Sequence, residues 1–346
     1  MKTNTQRVPD AVVSSPVSVA VIGAGLSGLV AARTLVDHGH RVQVFEKARG
    51  PGGRMATRRT DSYAFDHGAQ YFTVRDKRFR RRVEDWTLHG IVRVWEGRIR
   101  VVRRGELGTE KGGQVRYVGV PGMSAVTRHM AGALDIRWCT RVAQVRRDRS
   151  AVVLMDEDAS PLGSYDAAVV SIPPGQCARV LSELPSLSES AAAIRMNPCW
   201  AVLLAFGRHL NMPFDGAFIH ESPLTWAALD SSKPGRGTEE CWVLHADSAW
   251  TTAHLDLDPE EIVRRLTEAF FAAVGRQVVQ PVFAASHLWR YARPQNPLKE
   301  GCLWDSQTRI GACGDWCWGS RIEGAFLSGS AIARRVLGAV GRSSGE

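Results

Sequence analysis

No run of apolar residues in this 346-residue chain is long enough to cross a bilayer. The first fourteen residues, MKTNTQRVPDAVVS, lack the apolar core of a secretory leader, so a cytoplasmic protein with no membrane contact is expected. The seven cysteines (Cys139, Cys177, Cys199, Cys241, Cys302, Cys313, Cys317) are odd in number and scattered, which argues against a disulfide framework and predicts reduced, mostly buried thiols. Cys313 and Cys317 stand four apart rather than as Cys-x-x-Cys, and no further nitrogen or sulfur ligand is spaced to complete a zinc site, so no metal is expected. Internal repeats and low-complexity segments are also missing. No Ser/His/Asp set or paired-carboxylate constellation stands out.

What remains is ordinary globular material: 44% apolar and 23% charged residues, with length for about two cores. The net charge of +9 is concentrated between Arg75 and Arg104, but Asp76, Glu84, Asp85 and Glu96 interrupt that stretch and no nucleic-acid-binding motif accompanies it. A solvated arginine-rich face is expected, with no nucleic-acid partner. A few of these arginines could still meet the phosphates of an anionic small substrate.

The most informative stretch runs from Val17 to Glu46. Val17, Val19, Val21 and Ile22 form a short β-branched run, as in a parallel strand covered on both faces. Gly23-Ala24-Gly25-Leu26-Ser27-Gly28 then makes a Gly-x-Gly-x-x-Gly turn: Gly23 permits the tight bend, Gly25 lets backbone approach a pyrophosphate, and Gly28 lets helix pack on strand. A helix is predicted over Leu26–His38 with Gly39 at its end, then a strand Arg41–Glu46, whose final acid is placed for a ribose. Together these say that the chain holds a dinucleotide.

Downstream, Arg49-Gly50-Pro51-Gly52-Gly53-Arg54-Met55 is too glycine-rich for anything but a loop. Leu134–Val145 and Tyr165–Ile172 read as strands of the same domain, and Arg309–Asp315 as strand and turn before a helix Ala325–Leu337 closed by Gly338. The dinucleotide domain is therefore discontinuous. Between its pieces lie tryptophan-rich strand-like runs, Trp200–Phe206, Cys241–His245 and Pro281–Arg290, and a helix through Ala273 opened by Asp258-Pro259-Glu260-Glu261, with Glu261 at the capping-box position.

With the fingerprint, the Gly-Gly-Arg-Met loop, the Gly68-Ala69-Gln70-Tyr71-Phe72 segment, the Tyr165–Pro174 strand and the terminal tract Gly314–Gly329 in order, the chain resembles the flavin-containing amine oxidase superfamily, and within it the renalases. Pro121–Met130, Asn197–Phe206 and Trp242–Trp250 extend the likeness over nearly everything from Val17 to Leu337. The resemblance implies an α/β fold of monoamine-oxidase-like architecture: a discontinuous Rossmann-like FAD-binding domain (15–76, 117–176 and 300–340) with a mixed-sheet α+β substrate domain (77–116 and 177–299), and flexible tails at 1–14 and 341–346.

It implies FAD as cofactor. Gly23, Ala24, Gly25, Ser27 and Gly28 would serve the pyrophosphate and Glu46 the adenosine ribose, with Lys47 beside it. Gly53 and Arg54 would meet the phosphates, Met55 and Gln70 would lie by the ring system, and the Val142 backbone would meet adenine. Gly314 and Asp315 would form the second phosphate and ribityl site, and Glu323-Gly324-Ala325 would aim a helix N-terminus at the flavin pyrimidine, where reduced flavin is anionic. Cys317 lies near the position at which monoamine oxidases tether their flavin, but its context differs, so the FAD is expected to be non-covalent. The two tyrosines that frame the flavin in those enzymes are not matched.

The renalase likeness implies an oxidase that moves hydride from a 2- or 6-dihydronicotinamide isomer of NAD(P) to flavin N5, with O2 as acceptor and H2O2 as product. Such a donor aromatises without shedding a proton, so no general base is needed. Tyr71, Trp200, Trp226, His245 and Trp289 are candidates for the walls of its pocket, and Arg290 for an amide or phosphate. The alternatives are a flavin oxidoreductase acting on amines or on a polyene or porphyrin-like substrate, and a nucleotide- or nucleic-acid-binding module without turnover.

Overall fold

The computed structural model describes residues 16–109 and 113–340, so both expected tails lie outside the described residues. Six strands form the first sheet, in the spatial order Leu303–Asp305, Ile310–Ala312, Ala167–Val170, Ser18–Ile22, Arg41–Phe45, Asp135–Arg137. All pairs are parallel except that Leu303–Asp305 runs against Ile310–Ala312. Val21 sits between Val44 and Val169, so the apolar run of the first strand is buried from both sides, as its composition requires.

On one face Val19 and Val21 pack with Leu29 and Leu35 of the Leu26–Asp37 helix and with Ile332 and Val336 of the Ile322–Val340 helix. On the other face Ala20 and Ile22 pack with Val145, Leu154, Cys177 and Leu181. These come from a three-stranded antiparallel sheet (Gln144–Asp148, Ala151–Met155, Pro161–Tyr165) and the Pro174–Val180 helix and its end.

Two predicted elements change here. Leu134–Val145 is not one strand: Asp135–Arg137 belongs to the parallel sheet and Gln144–Asp148 to the small one, with a non-strand stretch between them. The last helix starts at Ile322 and runs through Gly338 to Val340, because Ile332, Val336 and Val340 continue one buried stripe past the glycine.

The second large sheet has seven strands: Phe283–Pro294, Met196–Phe206, Glu240–Ala246, Leu224–Leu229, Gly216–His220, Ile99–Arg103, Glu106–Thr109. Alternation sorts its residues. Trp200, Val202, Leu204, Trp242 and Leu244 face the Pro259–Ala273 helix through Ile262, Leu266 and Phe270, forming a sheet-on-helix core. That helix is capped by Asp258, whose carboxylate accepts the Glu260 N–H at 2.8 Å. Glu261 does not complete a capping box; its carboxylate takes Arg264 and Arg265 one turn on instead. The opposite face of the sheet is covered in part by Phe65, packed against Leu203, Ala205, Cys241 and Val243.

Candidate functional site

The dinucleotide turn has the geometry that its three glycines allow. Gly23 adopts φ +104°, a conformation that side chains resist. A Cβ on Gly28 would lie 2.2 Å from the Gly23 carbonyl, so helix and strand could not stay in contact. A Cβ on Gly25, by contrast, would meet nothing within 4 Å, and no side chain caps the helix that begins at Leu26. The Ser27 hydroxyl is buried with only the Cys313 thiol beside it and no oxygen or nitrogen partner. Open space, uncapped helical N–H groups and an under-used hydroxyl fit a pyrophosphate.

Glu46 stands at the mouth of this turn, accepting the Ala24 and Ala48 N–H groups, each at 2.8 Å. Both carboxylate oxygens keep lone pairs for ribose hydroxyls. The Thr140 N–H donates to the Glu46 carbonyl at 2.9 Å, which lays the stretch carrying buried Val142 alongside. Lys47 is exposed and reaches Gln176 at 3.5 Å.

Arg54 is the joint between the two halves of the molecule. Its loop lies over the fingerprint: the Gly52 N–H donates to the Ala24 carbonyl at 3.0 Å, and a Cβ on Gly53 would come within 3.8 Å of Gly25 Cα. The guanidinium binds Asp315 through two contacts, 2.6 and 2.8 Å, and donates to the Ala292 carbonyl of the tryptophan-rich sheet at 3.1 Å. The Arg54 carbonyl accepts the Ala69 N–H at 2.8 Å, which sets the position of Gln70 and Tyr71. Met55 is buried below. Arg54, expected at the phosphates, and Asp315, expected at the second phosphate and ribityl site, form a bidentate ion pair.

In the terminal tract Glu323 lies in the first turn of the Ile322–Val340 helix. Its carboxylate accepts the backbone N–H groups of Arg75 and Asp76, both at 2.7 Å, and so closes the turn that leads into the Lys77–Leu88 helix. Gly324 is needed for contact, since a Cβ there would lie 2.1 Å from the Gly319 carbonyl, and half-buried Ala325 follows it in the first turn. Gly314 donates its N–H to Ser328 Oγ at 3.0 Å. Cys317 is fully buried, and burial pushes its thiol far up, which keeps it protonated.

The face of the seven-stranded sheet opposite the Pro259–Ala273 helix carries a row of directly opposed residues across six strands: Val101, Phe218, Trp226, His245, Ala201 and His287. At one end Phe218 and Tyr71 flank Trp226, with ring centroids at 4.8 and 5.4 Å, and Trp95 stands 6.4 Å away. The Arg116 guanidinium lies over the Tyr71 ring at 5.0 Å. The Trp226 Nε1–H is buried without a partner.

At the other end His287 packs against Trp289 and His67, at 4.4 and 4.9 Å. The His67 carbonyl accepts both the Trp289 Nε1–H and the His245 Nε2–H, each at 3.0 Å. A carbonyl can only accept, so His245 is fixed as the Nε2–H tautomer and its Nδ1 carries a lone pair. Burial pushes His67 and His245 down to about 4 and lowers His287 as well.

Two of the expected wall residues are elsewhere. Trp200 points to the helix-covered face, where its Nε1–H donates to the His254 carbonyl at 3.0 Å, because it is one residue out of phase with Ala201. Arg290 is out of phase with Trp289 and exposed. Tyr71, Trp226, His245 and Trp289 share the side opposite the helix.

Trp95, Phe218, His67 and His287 were not singled out from the sequence. Nor was a buried charge cluster joining two segments: Asp66, Asp230, Lys233 and Arg236. Lys233 Nζ lies 2.5 Å from Asp230, 3.1 Å from Gln70 Oε1 and 3.7 Å from Asp66, and Arg236 pairs with Asp66. Burial alone would raise the Asp66 carboxyl, but Lys233 and Arg236 hold it below its ordinary value. Asp66 also accepts from Thr57 Oγ1 at 2.7 Å and the Met123 N–H at 2.9 Å. The arginine-rich stretch is largely surface pairing: Arg78 with Asp76, Arg82 with Asp85, Arg98 with Asp215, Arg103 and Arg104 with Glu221. Among the described residues no group of His, Cys, Asp and Glu could hold a metal ion, all seven cysteines are free, and no helix is long and apolar enough to cross a membrane. Of the thiols, Cys139 is exposed and Cys199 half-buried.

Comparison with known proteins places this geometry. Residues 21–86 match the NAD(P)-binding Rossmann-like domain, and residues 97–337 match the flavin containing amine oxidoreductase family. Among curated proteins, a 4,4'-diapophytoene desaturase of Staphylococcus haemolyticus is 45% identical over 58 residues, 17% of this chain and 12% of its own length. A zeta-carotene-forming phytoene desaturase of Myxococcus xanthus is 42% identical over 74 residues, 20% and 14% of the two chains. These matches thus span only a small part of the desaturases. Solved structures align almost throughout: a candidate protoporphyrinogen oxidase from Exiguobacterium (TM-score 0.76, 12% identity, 94% of this chain and 100% of that one) and putrescine oxidase bound to putrescine (0.74, 14%, 94% and 99%). Cyclohexylamine oxidase from Brevibacterium oxydans is equally near (0.74, 14%, 93% and 99%). At such identities they share the fold, an α/β architecture with a Rossmann-like part. With its family match covering most of the sequence, the chain belongs to the flavin containing amine oxidoreductases and is a flavin-dependent oxidoreductase with FAD as its cofactor.

Proposed function

We propose that the chain is a renalase-like oxidase whose substrate is a 2- or 6-dihydro isomer of NAD(P). When bound, FAD supplies a two-electron acceptor for the donor's hydride and a route for those electrons to O2, giving NAD(P)+ and H2O2. The observation that carries this reading is the sheet face opposite the helix: a row of aromatic and aliphatic side chains with imidazoles held uncharged and no carboxylate among them. A dihydronicotinamide that loses hydride becomes aromatic and has no proton to give up, so a face whose bases are imidazoles weakened by burial suits it.

The residues of this chain would then act by placement. Phe218, Trp226 and Tyr71 offer flat walls to a planar ring. The fixed lone pair on His245 Nδ1 and the unpaired Trp226 N–H offer an acceptor and a donor to an amide. Ser27, Glu46 and the uncapped helix hold the resident cofactor, so the substrate dinucleotide enters elsewhere.

Relatives named for amines and carotenoid precursors define the competing reading, a dehydrogenation of an amine or a polyene or porphyrin-like molecule. A primary amine reaches neutral solution as an ammonium ion and must lose a proton before it can give hydride, which this face does not assist. Anaerobic stopped-flow mixing with each donor class decides between them. Bleaching of the flavin within seconds by dihydronicotinamide isomers, and not by amines or polyenes, is expected. The reverse pattern would overturn the proposal, as would release of reduced enzyme that O2 does not reoxidise.

A further inference from the structure

The terminal helix has a second lined surface, away from the cofactor. Ala331, Arg334 and Arg335 stand at i, i+3 and i+4, so they share one face of the Ile322–Val340 helix. With about 100° between successive residues, that face lies opposite Gly329, where a Cβ would meet the Ser27 carbonyl at 2.3 Å. The dinucleotide cradle is on one side of the helix and the two arginines are on the other. Together with Glu300, Cys302 and Trp318 they line a cavity of about 400 Å³ that opens to solvent, a volume in the range of small-molecule sites.

Backbone contacts fix the wall of this cavity. Gly301 adopts φ +85°, and a Cβ there would stand 3.1 Å from the Trp318 ring and 3.4 Å from Ala331 Cβ, so the indole rests on bare backbone. The Gly301 N–H donates to the Cys317 carbonyl at 3.0 Å, and its carbonyl accepts the Ser328 hydroxyl at 2.6 Å. Trp318 is held in place yet stays 40% exposed, with the Arg78 guanidinium 5.7 Å from its ring centroid.

Charge in the cavity is unbalanced. Other surface arginines face a carboxylate, as Arg98 faces Asp215 and Arg264 faces Glu261 and Glu268. Among the described residues Arg334 has no hydrogen-bond or ion-pair partner, and Arg335 has only the Cys302 thiol. Burial raises that thiol above its ordinary value although Arg335 and Arg334 draw it down, so it stays protonated and supplies no counter-charge. Glu300 lines the same cavity without pairing with either guanidinium.

We propose that this cleft binds a nucleoside diphosphate, with its phosphates on Arg334 and Arg335 and its base against the exposed part of Trp318, at a site separate from the FAD cradle. Two guanidinium forks match two phosphate groups, and the indole offers a flat apolar surface to a base. The Glu300 carboxylate is an acceptor for ribose hydroxyls. The inference does not depend on which donor reduces the flavin.

Isothermal titration of ADP into holoenzyme kept saturated with FAD is the test, because a filled cradle cannot take the probe. Saturable binding is expected, weakened at least ten-fold when Arg334→Gln and Arg335→Gln are combined, with pyrophosphate showing the same loss. Trp318→Leu should weaken ADP about ten-fold, as for a base that loses its stacking partner, and leave pyrophosphate within two-fold. Arg334→Gln alone removes a group without polar contacts, so it should weaken ADP at an unchanged melting temperature, which separates lost binding from lost folding. Absence of saturable binding overturns the inference. So does ADP affinity within two-fold of wild type in the paired glutamine variant, which would put the nucleotide elsewhere on the chain. Equal affinity of the wild type for ADP and pyrophosphate also overturns it, because the cleft would then hold an anion and no nucleoside. Failure of wild-type enzyme to react with dihydronicotinamides would strike only the proposed function.

Discussion

Lowering the pH should cost this protein stability in a window set by its imidazoles. His67 and His245 fall from an ordinary value of 6.5 to about 4 in the folded chain, mainly through burial. Between those limits the unfolded chain binds a proton at each residue that the folded chain does not. The sign follows: stability rises with pH in this range, is complete above about 6.5, and is lost as pH falls toward 4. Each group contributes a slope of about 1.4 kcal/mol per pH unit, so the pair gives roughly 2.7. From pH 6.5 to 5 that is up to about 4 kcal/mol, a large part of the 5–15 kcal/mol typical of a folded domain.

His287 and His40 are lowered too and add in the same direction. Lowered carboxyls such as Asp76, near 2, act only at more acid pH. Urea unfolding of the holoenzyme at pH 5 and 7.5 measures the difference. His245→Gln keeps a donor in reach of the His67 carbonyl but does not titrate, and should remove about half of it. Equal unfolding free energies at the two pH values would refute the reasoning. So would an unchanged pH dependence in the His245→Gln protein.

Two further outcomes follow from placement. Glu323→Ala strips two part-buried backbone donors of a charged acceptor and should destabilise by about 2–3 kcal/mol, whereas Glu323→Gln retains an acceptor oxygen and should cost less than half of that; both are read by chemical denaturation, with the flavin absorbance spectrum unaltered in the glutamine protein. Trp226→Leu should slow anaerobic flavin reduction at least ten-fold and, as a buried aromatic truncated in a core, should also lower stability by about 2–4 kcal/mol. Trp200→Leu, equally buried but on the helix-covered face, should cost about the same stability and leave the reduction rate within two-fold.

The dinucleotide half was legible because its requirements are local. Gly23, Gly25 and Gly28 must follow a buried strand within a few residues, and Glu46 must end the next strand, so one continuous stretch of sequence carries the whole cradle. The partners of the Glu323 carboxylate, the Arg75 and Asp76 N–H groups, lie 248 and 247 residues away, so no local pattern announced them. The aromatic face was only half legible. Alternation says that Trp200 and Ala201 point to opposite sides but not which side is covered, and that choice is made by the helix at Pro259–Ala273. Phe218 and His287 join the face through register alone, which no local pattern records. The charge cluster escaped notice because Asp230-Ser231-Ser232-Lys233-Pro234-Gly235-Arg236 has the composition of an exposed turn, and only the arrival of Asp66 from the other half makes it interior.

The row from Val101 to His287 takes one residue from each of six strands, while the neighbouring residues on the same strands hold the sheet to its helix. The wall can therefore change while the residues that hold the sheet to its helix stay fixed, although touching pairs such as Phe218 and Trp226 must change together. Such a surface can be retuned by small sets of touching residues while the helix-facing core keeps the sheet folded.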